Sequence, residues 1–232
     1  MDFDLTPEQQ EIRKVAREFA LGEIAPVAAR HDETAEFPHA IVKKLGELGF
    51  MGVLVPPDYG GAGLDYVSYA LIVEELNRAD ASVGITMWAH NSLCTNHINL
   101  FATKAQKDKY LARLARGEAI GAWGLTEAGS GSDAAAMKST AVRRGDHFVL
   151  NGTKAFITNG GVGQIAVVMA VTDPTRAAKG ISAFILEKGM GGFSPGQRYR
   201  KLGLHASDTS ELVFDGVRVP PENLLGELNM GV

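Results

Sequence analysis

From Thr6 to Gly117 apolar residues recur every three to four positions, and from about Glu118 they alternate every second position. That change of period divides the chain. In the first part, Thr6-Pro7-Glu8-Gln9 reads as a helix start: Thr6 caps, Pro7 has no N–H to leave unsatisfied, and Gln9 stands where a reciprocal bond is made. The stripe Ile12, Val15, Ala16, Phe19 carries this helix to about Ala29. A second helix starts at Pro38, runs through Ile41, Leu45 and Leu48, and is stopped by Gly49. Pro56-Pro57-Asp58-Tyr59-Gly60-Gly61-Ala62-Gly63 is a loop. Leu64 to Asn77 is apolar nearly all round, which predicts burial between other helices. Ala81 to Phe101 is a long apolar helical segment, and Thr103 to Gly117 a last amphipathic helix.

Beyond Glu118, the run Ile120–Leu125 suits a buried strand. Strands and tight turns then alternate: Thr140–Arg144, His147–Asn151, Ala155–Thr158, Ile165–Thr172, Ile181–Leu186, Phe193–Lys201 and Glu211–Phe214. The pattern predicts an α+β chain of two domains, all-helical over 1–117 and an antiparallel barrel- or sandwich-like β domain over 118–226. Pro220-Pro221 to Gly226 ends the β section, and 227–232 stands apart from it.

A chain of 232 residues that is 45% hydrophobic can bury a substantial core. Lys and Arg number 23 against 27 Asp and Glu, and the resulting charge of −4, with no basic arm, argues against nucleic acid as a partner. The single cysteine, Cys94, excludes an internal disulfide, and MDFDLTPEQQ lacks the basic and apolar regions of a secretory signal. The expectation is a reducing, cytoplasmic setting. The longest apolar runs, such as Ile165–Val171, are too short to span a bilayer, so no membrane partner is expected.

Candidate chemistry concentrates in IGAWGLTEAGSGSDAAA, Ile120 to Ala136. Gly129, Ser130, Gly131 and Ser132 let backbone N–H groups approach a ligand, Thr126, Ser130 and Ser132 add hydroxyls, and Trp123 is able to lie against a ring. A Gly/Ser surface turn is the bland alternative. Gly129, Gly131 and Ala134 also match the dinucleotide fingerprint, but the helix it requires has no room before the strands at Ser139–Leu150. His90, Cys94 and His97 share a helical face at metal-like spacing; without a fourth ligand they read as packing residues, and no metal is expected. Glu74-Glu75 diverge around a helix and read as solvated or capping. Arg198 and Arg200 share a strand face near Lys201, as a phosphate site or, more simply, a solvated strand edge.

Gly124-Leu125-Thr126-Glu127 through Gly129 and Gly131-Ser132-Asp133 resembles the acyl-CoA dehydrogenase signature. The likeness continues in Asn151-Gly152-Thr153-Lys154-Ala155-Phe156-Ile157-Thr158-Asn159, Lys201-Leu202-Gly203 and Glu211-Leu212-Val213-Phe214, in family order and over essentially the whole chain. The resemblance implies an FAD-dependent enzyme that dehydrogenates an acyl-CoA thioester across its α and β carbons. Hydride goes to flavin N5, and electrons pass to an electron-transfer flavoprotein. It makes Trp123, Gly124, Leu125, Thr126, Gly131 and Ser132 flavin contacts, with Phe156, Ile157 and Thr158 as a second set, and gives Ser132 a contact to the CoA portion.

Glu127 becomes a structural member of the turn. The family's base is a Glu on a C-terminal helical domain, so the catalytic residue is unassigned, and 227–232 reads as the start of that domain in a partial chain. A homo-oligomer, tetramer or dimer, is implied for the full-length form. Three positions depart from the family pattern: Ala128 replaces a usual Pro, Phe156 a frequent Trp, and His205 a frequent Arg. Without the indole N–H, a role for residue 156 in passing electrons to a partner protein is open. Sister oxidases acting on acyl-CoA or nitroalkanes, and a non-catalytic flavin or acyl-CoA binding module, are the alternatives. Short-chain or branched-chain members look closest.

Overall fold

The computed structural model describes residues 4–231; Met1–Phe3 of the leading segment and Val232 of the segment 227–232 lie outside it. The helical half contains α1 (Pro7–Phe19), α2 (Ala25–Thr34), α3 (His39–Glu47), α4 (Tyr66–Ala79), α5 (Ala81–Ala89), α6 (Asn96–Phe101) and α7 (Lys104–Ala115). Thr6 and Gln9 form the expected capping box, and Thr103 with Gln106 repeats it at α7. The first helix does not stop near Ala29. It widens into a π turn at Ala20–Ile24 and continues as α2, a local unwinding that accommodates Pro26, which has no N–H to give the preceding turn. The segment 81–101 is likewise interrupted by a π turn, His90–Thr95. There Asn91 donates its side-chain amide to the carbonyls of Met87 and Phe50, drawing backbone bonding away from the regular ladder. No helix among the described residues is long and apolar enough to cross a membrane.

The strands are β1 (Gly121–Gly124), β2 (Thr140–Arg144), β3 (His147–Thr158), β4 (Ile165–Val171), β5 (Ile181–Glu187), β6 (Phe193–Arg198), β7 (Thr209–Val219) and β8 (Leu224–Leu225). They form one sheet in the order β6-β7-β3-β2-β4-β5-β8, with β1 beside β4. The sheet is mixed rather than wholly antiparallel. β1 runs parallel to β4, and β2 touches β4 in the same sense, because the β2–β3 hairpin intervenes and lets the chain return in the direction of β1. The two segments expected at His147–Asn151 and Ala155–Thr158 are one strand, interrupted in register but not in pairing with β7.

The two halves meet at Gly121, where a Cβ would come within 2.8 Å of the Cys94 sulfur. His90 Nδ1 accepts the Gly121 N–H at 2.8 Å, and Asn159 Nδ2 donates to the Gly121 carbonyl at 3.1 Å and to that of Thr86 in α5 at 3.2 Å. A buried histidine and a buried asparagine thus satisfy both backbone polar groups of the residue at which the halves meet.

Glu75 corrects the expectation of a solvated Glu74-Glu75 pair. Only 3% exposed, it faces α1 from α4. Arg17 donates to both its oxygens, at 2.7 and 3.0 Å, and Arg13 to one at 2.9 Å. The Arg17 contact outweighs burial and holds the Glu75 carboxyl at about 2. A group with a depressed folded pKa stabilises above its unfolded value, about 4.3, and loses that contribution as pH falls through the folded one. Glu75→Gln is expected to cost about 1–3 kcal/mol at neutral pH, moderated by the half-exposed arginines. In urea unfolding the gap between wild type and variant should close as pH falls from about 4.3 toward about 2. A gap that persists unchanged in acid would contradict this role.

Candidate functional site

Lys154 organises the local geometry. It occupies an inward position in β3, after Phe148 and Leu150, and its side chain is fully buried. An unpaired ammonium there is costly, so partners must come to it. Nζ donates to the Leu125 carbonyl at 3.0 Å and to Glu127 Oε1 at 2.8 Å. Glu127 also accepts the backbone N–H groups of Lys138, at 2.7 Å, and Ser139, at 2.9 Å. Burial alone would raise the Glu127 pKa; the ammonium and the two N–H donors overcome it and hold the carboxyl at about 2. Burial pulls the Lys154 pKa down while Glu127 opposes that. Glu127 therefore closes the loop from both ends, and its acidity is the reverse of what a base working near neutrality needs.

Within this frame the sequence motif folds as a tight turn, with Glu127 and Ser130 exchanging backbone bonds of 2.8 and 3.1 Å. Ser130 does not offer its hydroxyl to a ligand: it is buried and donates to the Asp133 carbonyl at 2.8 Å. Gly129 and Gly131 lie on the exposed side. Neither has a positive φ, and a Cβ on either would meet nothing within 4 Å. Internal packing thus does not require glycine there; what glycine leaves is open backbone. Among the described residues, the hydroxyls of Thr126, Ser132 and Thr158 have no hydrogen-bond partner within the protein.

The second predicted segment lies alongside. Ala155 N–H donates to the Thr126 carbonyl at 2.8 Å, so the loop and β3 are joined next to Phe156. Between the pairs Lys154↔Leu212 and Ile157↔Ser210, β3 advances three residues against two of β7, a β-bulge. Phe156 sits in it at φ 59°, unusual for a bulky residue, with its ring 61% exposed. Such strain costs about 1–3 kcal/mol and is characteristic of functional positions. Ile157 returns to the core, so toward the outer side of the bulge it offers backbone rather than side chain.

The site residues are not all presented alike. Gly124 is buried and packs against Lys154 Cγ at 3.2 Å from its would-be Cβ. Leu125 and Trp123 pack on the cluster between the sheet and the helices, and Trp123 Nε1 donates to His97 Nδ1 at 3.2 Å. The indole is therefore anchored to α6 and remains only partly exposed. Sequence reasoning missed this partner, and also Tyr199, whose ring stacks on Phe156 at 4.5 Å and 26°. Both partners are distant in the chain, His97 on α6 and Tyr199 beyond β6, and neither left a sequence signal. Lys154 did carry a signal, a charge at an inward alternation position.

The metal-like trio is committed elsewhere. His90 Nε2 faces the carbonyls of Met51 (2.9 Å) and Leu114 (3.2 Å), which makes it the protonated nitrogen, while Nδ1 accepts from Gly121. Burial pushes its pKa down to about 4. Cys94 is fully buried, its thiol pushed up to about 12 by burial, and no His/Cys/Asp/Glu group suited to a metal occurs among the described residues. Arg198 and Arg200 are exposed, but β6 ends at Arg198, so the two do not share a strand face, and Arg198 turns to the Ala35 carbonyl at 2.8 Å.

Comparisons with known proteins agree in both halves. Residues 6–118 match the acyl-CoA dehydrogenase N-terminal domain, and residues 122–217 the acyl-CoA dehydrogenase middle domain. The chain is 52% identical, over its full length, to a short-chain-specific acyl-CoA dehydrogenase of Clostridium acetobutylicum, of which it covers 61%. It superposes over its full length on butyryl-CoA dehydrogenase from Megasphaera elsdenii, with a TM-score of 0.96, 44% identity and 61% of that chain covered. A chain from a structure described as the electron transferring flavoprotein of Acidaminococcus fermentans gives a TM-score of 0.97 at 49% identity, again over all of this chain and 61% of the other. The chain spans between 55% and 61% of the length of these and similar curated relatives. Two matched domains in family order and a full-length fold in common identify the chain as a member of the acyl-CoA dehydrogenase family.

Proposed function

We infer that this chain forms the FAD-facing part of an acyl-CoA dehydrogenase acting on short acyl chains. The observation that carries the reading is the pairing of unpartnered hydroxyls with a strained, exposed aromatic on two segments that one backbone bond joins. A flat ligand with a polar rim suits such an edge. Trp123, Gly124, Leu125, Thr126, Gly131 and Ser132 would hold it from β1 and the loop, and Phe156, Ile157 and Thr158 from β3. Ser132, exposed at the loop's outer end, would also meet the CoA portion of the substrate. The bound FAD supplies the acceptor for two electrons and a hydrogen from the acyl chain.

The residues of this chain orient and shield. The open glycine backbone and the Thr126 and Thr158 hydroxyls fix the rim of the ligand, and Phe156 covers an edge against water. The base that takes the α proton is not Glu127, whose carboxylate is saturated with donors. Residues 118–226 would act as the flavin-facing domain and 1–117 as its helical support. The likeness to a chain of an electron transferring flavoprotein structure supports such a flavoprotein as acceptor, and the bacterial relatives favour a cytoplasmic site of action; a homo-oligomer is part of the same reading. A sister oxidase is the second reading, favoured by Phe156, which lacks an indole N–H; rapid reoxidation of the reduced protein by oxygen would select it.

Two outcomes test this. The full-length protein should be yellow and release FAD on denaturation, and Thr126→Ala with Ser132→Ala should weaken flavin retention by about 1–3 kcal/mol as bonds to a buried ligand are lost. Unchanged retention would contradict the assignment. Anaerobic butyryl-CoA should bleach the flavin absorbance, and failure of a whole panel of short and branched acyl-CoA esters to do so would contradict the substrate class.

A further inference from the structure

The loop between β6 and β7 crosses back to the helical half, where Arg198 at its entry meets the Ala35 carbonyl and His205 meets Asp32. His205 donates its backbone N–H to Asp32 Oδ1 at 3.0 Å, and its ring Nδ1 lies 3.0 Å from the same oxygen. On the other side of the ring, Nε2 lies 3.0 Å from the Lys201 carbonyl. A carboxylate and a carbonyl only accept, so both ring nitrogens must donate, which only the imidazolium does. A neutral ring keeps one of these two bonds and gives up the other.

The charges around the ring pull in both directions. Asp32, near the end of α2, favours the proton. Arg198, Arg200 and Lys201, which share with Tyr199, Ala35 and His205 a cavity of about 300 Å³, oppose it. Arg198 is partly occupied: it donates to the Ala35 carbonyl at 2.8 Å, and its Nε lies 3.8 Å from Asp208 Oδ1. The Asp32 contact prevails, with the Lys201 carbonyl adding to it, and the His205 pKa lies above its ordinary value while that of Asp32 lies below.

The same loop supports the proposed ligand edge. Tyr199, at its start, stacks on Phe156 and donates its hydroxyl to Glu211 at 3.1 Å. Leu204, beside His205, lies at φ 54° in a turn that the Ser207 N–H closes on its carbonyl at 3.0 Å. We propose that His205 and Asp32 form a protonation-dependent latch that holds the 199–208 loop on α2; Tyr199, at the start of that loop, is also held by β7 through its N–H to the Thr209 carbonyl at 2.9 Å, so His205 positions the loop that borders the ligand edge. The functional consequence rests on the reading of Phe156 given above; the latch itself does not.

The direction follows from the two pKa shifts. A histidine whose folded pKa is raised stabilises fully below the unfolded value, about 6.5, and loses that contribution as pH rises through the folded one. The latch is fully made above the lowered pKa of Asp32 and below the raised pKa of His205; on the alkaline side it loses one ring bond and its charge, while the His205 backbone N–H bond to Asp32 remains.

Hydrogen exchange of the full-length protein as purified, followed from about pH 5.5 to about pH 8.5 and corrected for intrinsic rates, tests this. Protection of the 199–208 peptide should fall roughly two- to fivefold through the His205 titration, the range typical of an exposed charged pair. His205→Arg, a permanent cation able to reach Asp32, should flatten the profile at high protection, and His205→Gln should flatten it at low protection. Asp32→Asn should move the midpoint down. Identical profiles in wild type and His205→Gln, or no shift in Asp32→Asn, would overturn the latch. A protein with the histidine-dependent profile that never retains FAD would contradict the functional reading alone, and a yellow, acyl-CoA-reducible protein with a flat profile would contradict the latch alone.

Discussion

One buried ammonium sets the arrangement of the candidate site. Lys154 lies at an inward position of β3 with no access to water, and several kcal/mol are at stake if it stands unpaired. Glu127 answers it, and because Glu127 also takes the N–H groups of Lys138 and Ser139, the whole glycine loop is drawn onto the strand. The Thr126 carbonyl then meets Ala155, and the bulge that follows Lys154 turns Phe156 outward. A packing necessity in the strand thereby becomes an exposed edge with defined polar groups.

β1 is held at both ends by different means. Its first residue, Gly121, is gripped by His90 and Asn159, uncharged groups suited to the apolar seam between helices and sheet. Its far end meets the ion pair through the Leu125 carbonyl. Two neutral bonds at the seam avoid the desolvation cost of a charge where the halves dock, whereas the charged pair lies at the rim, where Glu127 retains some contact with solvent. Rigid support beneath and open backbone above is the condition a preorganised ligand site requires.

Much of this was legible before any coordinates. The capping box at Thr6, the passage from helices to strands near Glu118 and the Gly/Ser loop depend on local chemistry and on alternation, which sequence records directly. What escaped depends on partners distant along the chain. Glu75 looked solvated because neighbouring helix positions diverge; its burial comes from Arg13 and Arg17 on another helix. Ser130 looked like a ligand hydroxyl until the Asp133 carbonyl claimed it, and the parallel pairing of β1 with β4 depends on how an intervening hairpin is accommodated. Likewise Trp123 looked free to face a ring, and only the fold brings His97 to its N–H.

The central claim is that the loop after β1 and the bulge of β3 form one ligand edge. Comparing amide exchange in the full-length protein with and without FAD tests it most directly. Added FAD should slow exchange together in 124–132 and in 156–159, because both segments face the same molecule. Protection confined to one segment, or appearing only in regions remote from both, would contradict the account.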